Sequence, residues 1–167
     1  MTWAYDKRLT DRFLPEIKAI LGRYLIEEPP AWEDQQHNTD LTVLGLGLLR
    51  VSVRVRSVQY LFRYGNEITF RTSRPSGART ELSKIIGGWG NYFFYGFGTD
   101  DARLVLWTLC DLEVFRLWYS ERLYRGEHPG KKQHNGDNSS SFLAFRFDEL
   151  PAEFIIARSS GGSFDPR

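Results

Sequence analysis

The residues of this chain best placed to do chemistry begin at Asp40, which opens the run Asp40-Leu-Thr-Val-Leu-Gly-Leu-Gly-Leu-Leu-Arg-Val-Ser-Val-Arg-Val-Arg56. Its carboxylate precedes Ser52 by twelve residues and Arg54 by fourteen. An acid at the start of one strand and a cation on the next bring a ligand for a hard metal beside a phosphate-binding group. A turn or strand-start cap is the plainer role for Asp40. Glu81 and Lys84 form a second pair, three residues apart and so on one side of a helix. An acid and an amine side by side are candidates for a site, whose roles depend on what they meet; an exposed helix ion pair worth a few tenths of a kcal/mol is the alternative. Glu16 falls at the edge of an apolar helical stripe and offers a third carboxylate, or a solvated edge residue.

Charge adds a second signal. The chain is nearly neutral, with 22 basic and 21 acidic residues. Between Arg50 and Lys84, however, eight basic residues (Arg50, Arg54, Arg56, Arg63, Arg71, Arg74, Arg79, Lys84) stand against Glu67 and Glu81. Such a local excess is the footprint of a polyanion-binding face, and Arg50, Arg54, Arg56, Arg71 and Arg74 are its candidates for phosphate contact. A solvated strand face paired with acids elsewhere would carry the same charges.

Other chemistries find less support. His37, His128 and His134 lack zinc-ligand spacing. Gly87-Gly-Trp-Gly90 has neither the lysine nor the strand-before-helix setting of a phosphate loop. Cys110 lies in the apolar run Leu104-Val-Leu-Trp-Thr-Leu-Cys110, where nothing nearby would activate a thiol. Tyr92, Phe93, Phe94, Tyr95 and Phe97 could stack bases, but a strand this aromatic reads as core. Lys131 and Lys132 could touch phosphate from a polar loop.

Positioning these residues requires an alternation of helices and strands. Leu9, Phe13, Ile17, Ile20, Leu21 and Tyr24 recur at helical spacing over about 10–25, with Pro15 near the first turn or at a kink. Pro29-Pro30 ends that helix, and residues 27–38 read as loop. Strands are expected at about 40–45 and 49–56, with a bend at Gly45 to Gly47, and at 67–73. Arg50, Ser52, Arg54 and Arg56 then share one strand face. A helix follows at about 79–89, strands at 91–97 and 104–109, and a helix at 112–124 capped by Asp111. Residues 126–141 read as a mobile polar loop, and short strands near 142–147 and 153–157 close the fold. The expected organisation is one α/β domain over residues 1–157, a mixed central sheet flanked by helices, followed by a disordered tail at 158–167.

This order, together with the Asp40 spacing, resembles the PD-(D/E)XK nuclease superfamily, and among its members the archaeal Holliday-junction resolvases. The resemblance covers residues 10 to about 97. It implies a restriction-endonuclease-like core (α-β-β-β-α-β) with C-terminal β-α-β additions, the first three strands forming a meander. It also implies Mg²⁺ or Mn²⁺ as cofactor. The family's aspartate matches Asp40 and its first-helix acid could be Glu16. Its strand acid falls on Ser52 and its lysine on Arg54. Ser52 is a poor metal ligand, and Arg54 binds phosphate bidentately but cannot act as a base. Some members move the second acid to the neighbouring helix, which would make Asp40, Glu81 and Glu16 the metal ligands. Lys84 or Arg54 would then position phosphate and water.

Three readings follow. One is a metal-dependent DNA nuclease of phage or mobile-element type acting on branched or single-stranded DNA, as a homodimer by family resemblance. The second is a nucleic-acid-binding relative without activity. The third is a small protein-binding inhibitor or adaptor. The lone cysteine, the unremarkable N-terminus and the lack of a run of apolar residues long enough to span a bilayer point to a cytoplasmic protein without membrane association.

Overall fold

The computed structural model describes residues 3–22, 26–27, 41–44, 48–73, 76–134 and 140–159. In chain order they form α1 (Trp3–Asp11), α2 (Leu14–Leu21), β1 (Ile26–Glu27), β2 (Leu41–Leu44), β3 (Leu48–Ser57), α3 (Leu61–Tyr64) and β4 (Glu67–Ser73). There follow α4 (Glu81–Ile86), β5 (Tyr92–Gly98), β6 (Leu104–Asp111), α5 (Leu112–Tyr124), β7 (Lys131–His134), β8 (Ser141–Arg146) and β9 (Ile155–Arg158). Single 3₁₀ turns occupy Val58–Tyr60, Phe147–Glu149 and Ala152–Phe154. The chain is mixed α/β with two sheets.

Six strands make the larger sheet, in the order β1-β2-β3-β5-β6-β9. β3 runs parallel to β5 and antiparallel to β2, and β5 is antiparallel to β6. Strand β5, Tyr-Phe-Phe-Tyr-Gly-Phe-Gly, is apolar on both faces, which suits a central position covered from both sides. Its side chains divide by parity. Phe94 packs with Val51, Val53 and Val55 of β3 beneath Phe13, at the junction of the first two helices, and Leu14 and Ile17 of α2. Phe93, Tyr95 and Phe97 face the other way, into a core shared with Leu82 and Ile85 of α4, Phe115 and Tyr119 of α5, and Phe70 and Phe145 of the second sheet.

That second sheet, β4-β8-β7, departs from the expected single sheet and from the expected meander. β5 occupies the position beside β3 that a meander would give to β4, and β4 pairs instead with β8, Ile68 opposite Phe145 and Phe70 opposite Leu143. The polar loop expected at 126–141 holds a strand, because Lys131–His134 pair with Ser141–Ala144. The single helix expected over 10–25 is two helices. Phe13 separates them and Pro15 stands in the first turn of α2, where its missing N–H costs nothing.

Two local features fix how the layers meet. Gly98 ends β5 against the ring of Phe13, and a Cβ built there would lie 2.0 Å from that ring, so only glycine admits the contact. The Gly87–Gly90 segment turns the chain from α4 into β5, with Gly90 at φ 83, a backbone conformation that favours glycine, and the tip of Leu112 3.0 Å from where its Cβ would lie. The expected bend at Gly45 to Gly47 and the tail from residue 160 onward lie outside the described residues, while Arg158 ends β9.

Candidate functional site

The alternation of β3 sends Val51, Val53 and Val55 to one core and turns Arg50, Ser52, Arg54 and Arg56 toward the second sheet, as the pattern predicts. Arg54 crosses to β4. Its Nη1 donates to the carbonyl of Thr69 at 2.8 Å and to Thr69 Oγ1 at 3.2 Å, and its Nη2 donates to Glu81 Oε2 at 2.7 Å. The same Oε2 accepts the backbone N–H of Arg71 at 3.1 Å. Arg54 and Glu81 thus bond the side of β4 that does not face β8, and tie β3, β4 and α4 together.

Why Glu81 sits there is legible locally. Thr80 caps α4: its Oγ1 accepts from Ser83 N while Ser83 Oγ accepts from Thr80 N, a reciprocal capping box. Glu81 is the first residue of the helix and turns inward with Leu82, Lys84 and Ile85. Glu81 is 4% exposed and Lys84 5%. The exposed helix ion pair offered as the plainer alternative is therefore not what forms. Two charged side chains on one short helix are buried instead, and such groups require partners to be tolerated.

Glu16 is elsewhere. Its Oε2 accepts the backbone N–H of Leu104 at 2.8 Å, on the helix-covered face of the large sheet, whereas Glu81 lies on the opposite face. The structure does not bring Glu16 and Glu81 together. Asp40 and Arg74, along with His37, lie outside the described residues.

A divalent cation finds a poor fit among the described residues. The acidic oxygen nearest the arginine row already takes a guanidinium and an amide N–H. Mg²⁺ prefers several oxygen ligands and would have to displace the cation Arg54 from the same oxygen. Among the described residues no three histidine, cysteine or carboxylate side chains group as a metal set. His134 is exposed, with Nδ1 3.1 Å from Ser141 Oγ, and His128 is exposed too.

The flanking arginines lie on aromatic rings. The Arg50 guanidinium carbon stands 4.3 Å from the centre of the Trp89 ring. Arg56 lies 4.9 Å from Tyr64 and 5.6 Å from Tyr60, and its Nη1 donates to the Tyr95 hydroxyl at 3.2 Å. Arg71 stands 5.4 Å from Phe142. A guanidinium stacked on a ring keeps donors at its edge for an oxyanion, and the ring holds its orientation.

Residues 58–64 form two short helical turns that the sequence pattern did not announce, and with them come Tyr60, Phe62 and Tyr64; Arg63 entered only through the charge count. The available signal was compositional: no acidic residue occurs between Leu41 and Asn66. The strand aromatics Phe93, Phe94, Tyr95 and Phe97 are buried, as their density suggests, so they are not a stacking platform. Cys110 is likewise buried, and burial pushes its thiol pKa above the ordinary range. Lys131 and Lys132 are exposed on β7. Among the described residues no helix is long and apolar enough to cross a membrane. Compared with models of protein families, with curated proteins and with solved structures, the chain matches none of them.

Proposed function

We propose that this chain binds nucleic acid, seating phosphates on Arg50 and Arg56 at the two ends of the arginine row of β3. The observation that carries this reading is the disposition of Arg50 and Arg56, stacked on Trp89 and on Tyr60 and Tyr64 at either side of the half-buried Arg54 and its partner Glu81. A phosphate on this face meets cations already oriented, so less side-chain entropy is lost on binding. Arg54 acts here as a positioning residue that fixes the row against β4, and its charge adds to the local field.

The test is retention of labelled single-stranded, duplex and branched DNA and of RNA across a salt series. Affinity should fall linearly on a log–log plot against salt, and Arg50→Gln and Arg56→Gln should each lower the slope by about 0.7 to 0.9. Retention that ignores salt, or no retention of any nucleic acid, would refute the reading and turn attention to protein partners.

A nuclease remains the second reading, favoured by the burial of both Glu81 and Lys84 on one turn of α4. It depends on Asp40 to supply what the described carboxylates do not. Incubation of the same nucleic acids with Mg²⁺ or Mn²⁺ separates the two. Cleavage that disappears in Asp40→Ala would replace the binding module with an enzyme, while intact substrate and undiminished retention in that variant favour binding alone.

A further inference from the structure

We infer that the turn between β3 and β4 is a base-stacking site for unpaired nucleotides, with Phe62 as the stacking ring. The inference rests on the nucleic-acid reading above and names the form of nucleic acid that the face selects.

Phe62 is 99% exposed, whereas every other phenylalanine among the described residues is buried or half-buried. It projects from α3, a single helical turn, beside an exposed Arg63. Two guanidiniums lie over the Tyr64 ring, Arg56 at 4.9 Å and Arg63 at 5.2 Å, and Arg56 also lies 5.6 Å from Tyr60. The turn is thus braced by cation–π contacts that leave Phe62 itself in solvent. Arg56 is also the last arginine of the β3 row, so the ring stands where that row ends.

Charge complementarity decides the occupant. The chain from Leu41 to Asn66 carries four arginines and no acid; Arg54 is paired with Glu81, and Arg56 and Arg63 are the cations beside this turn. A ligand that presents a flat apolar face and an anionic group in regular alternation satisfies Phe62 and the arginines together, and each nucleotide does this with its base and phosphate. A duplex keeps its base faces stacked internally and offers Phe62 nothing beyond phosphate and sugar. Unpaired bases, in a single strand or at a branch, have faces free to stack.

The experiment is fluorescence anisotropy of a fluorescein-labelled oligothymidylate, and of a duplex of equal length, titrated with wild type, Phe62→Ala and Phe62→Trp at several salt concentrations. Phe62→Ala should weaken binding of the single strand by about fivefold to a hundredfold while leaving the duplex affinity and the salt slope where they were. Phe62→Trp should keep the wild-type affinity. Equal affinity of wild type and Phe62→Ala for the oligothymidylate overturns the stacking site and leaves the arginine face standing. Parallel losses on single strand and duplex overturn it too, since they mean a general contact. Wild-type protein that binds neither nucleic acid overturns both the stacking site and the function proposed above.

Discussion

Glu81 is the residue on which the most structure converges, because one carboxylate oxygen serves a guanidinium from β3 and an amide from β4. Glu81 is buried but its partner Arg54 is only half-buried, so removing the carboxylate leaves a charge that water partly reaches, a loss of about 1 to 3 kcal/mol. Glu81→Ala should therefore lower the unfolding free energy by that order in urea titration. Glu81→Gln, which keeps an acceptor for the Arg71 N–H, should lose less. Were Glu81 chiefly a metal ligand held apart from the fold's stability, both variants would unfold near wild type in chelator. Cys110 makes a different demand. Its thiol stays protonated in the folded chain because burial disfavours the thiolate, whereas the unfolded chain ionises at about pH 8.5. Above that pH the unfolded state releases a proton that the folded state retains, so stability falls as pH rises, by up to about 1.4 kcal/mol per pH unit. Unfolding midpoints of wild type and Cys110→Ala, measured from neutral to alkaline pH, should diverge in slope there, the wild type being the steeper.

At the level of elements, α4 is short enough that its ends govern it. Six residues cannot sustain a helix by propensity alone. The Thr80–Ser83 capping box and the inward-facing Leu82 and Ile85 hold it in place. Thr80→Ala should cost about 1 kcal/mol in thermal or urea unfolding. Since α4 carries Glu81 into the ion pair, the same substitution should speed amide hydrogen exchange at Arg71 more than at residues of β5. Equal exchange at both would mean that the cap does not govern the placement of Glu81. α5 offers a contrast. Asp111 Oδ1 accepts from the backbone of Glu113 and Val114, the cap that the sequence announces, and the helix ends near the expected residue.

For the whole molecule, what could be read in the chain divides by the range of the interactions concerned. Strand alternation in β3, the apolar run of β5, the Asp111 cap and the inward turn of α4 are local patterns, and each appears where the residues place it. Pairing is not local. Nothing within residues 67–73 says that they will cross to β8 rather than lie beside β3, because that choice depends on β5 taking the neighbouring position. The polarity of Lys131–His134 conceals an edge strand, since an edge needs only one partner and tolerates lysines. At the site, the shared side of Glu81 and Lys84 followed from spacing, and so did the common face of Arg50, Arg54 and Arg56. Burial of the charged Glu81 and Lys84 did not, because it depends on how the strands around α4 enclose it. Glu16 illustrates the converse: its position on the helix was correctly read as the edge of an apolar stripe, but the face of the sheet on which that helix would pack was beyond reach.

The way Arg54 and Glu81 meet β4 has one more outcome, concerning how molecules of this chain behave toward each other. β4 is an outer strand of its sheet, and outer strands invite pairing with a second chain through their open backbone groups. Here the Thr69 carbonyl and the Arg71 amide are occupied by side chains of the same molecule, and Ile68 and Phe70 on either side of Thr69 stay covered. The ion pair thus stands in for the missing neighbour strand. Breaking it would expose a short apolar template to every other copy in solution, so the Glu81→Ala variant is expected to lose solubility as well as stability, through strand-to-strand aggregates whose growth steepens with protein concentration.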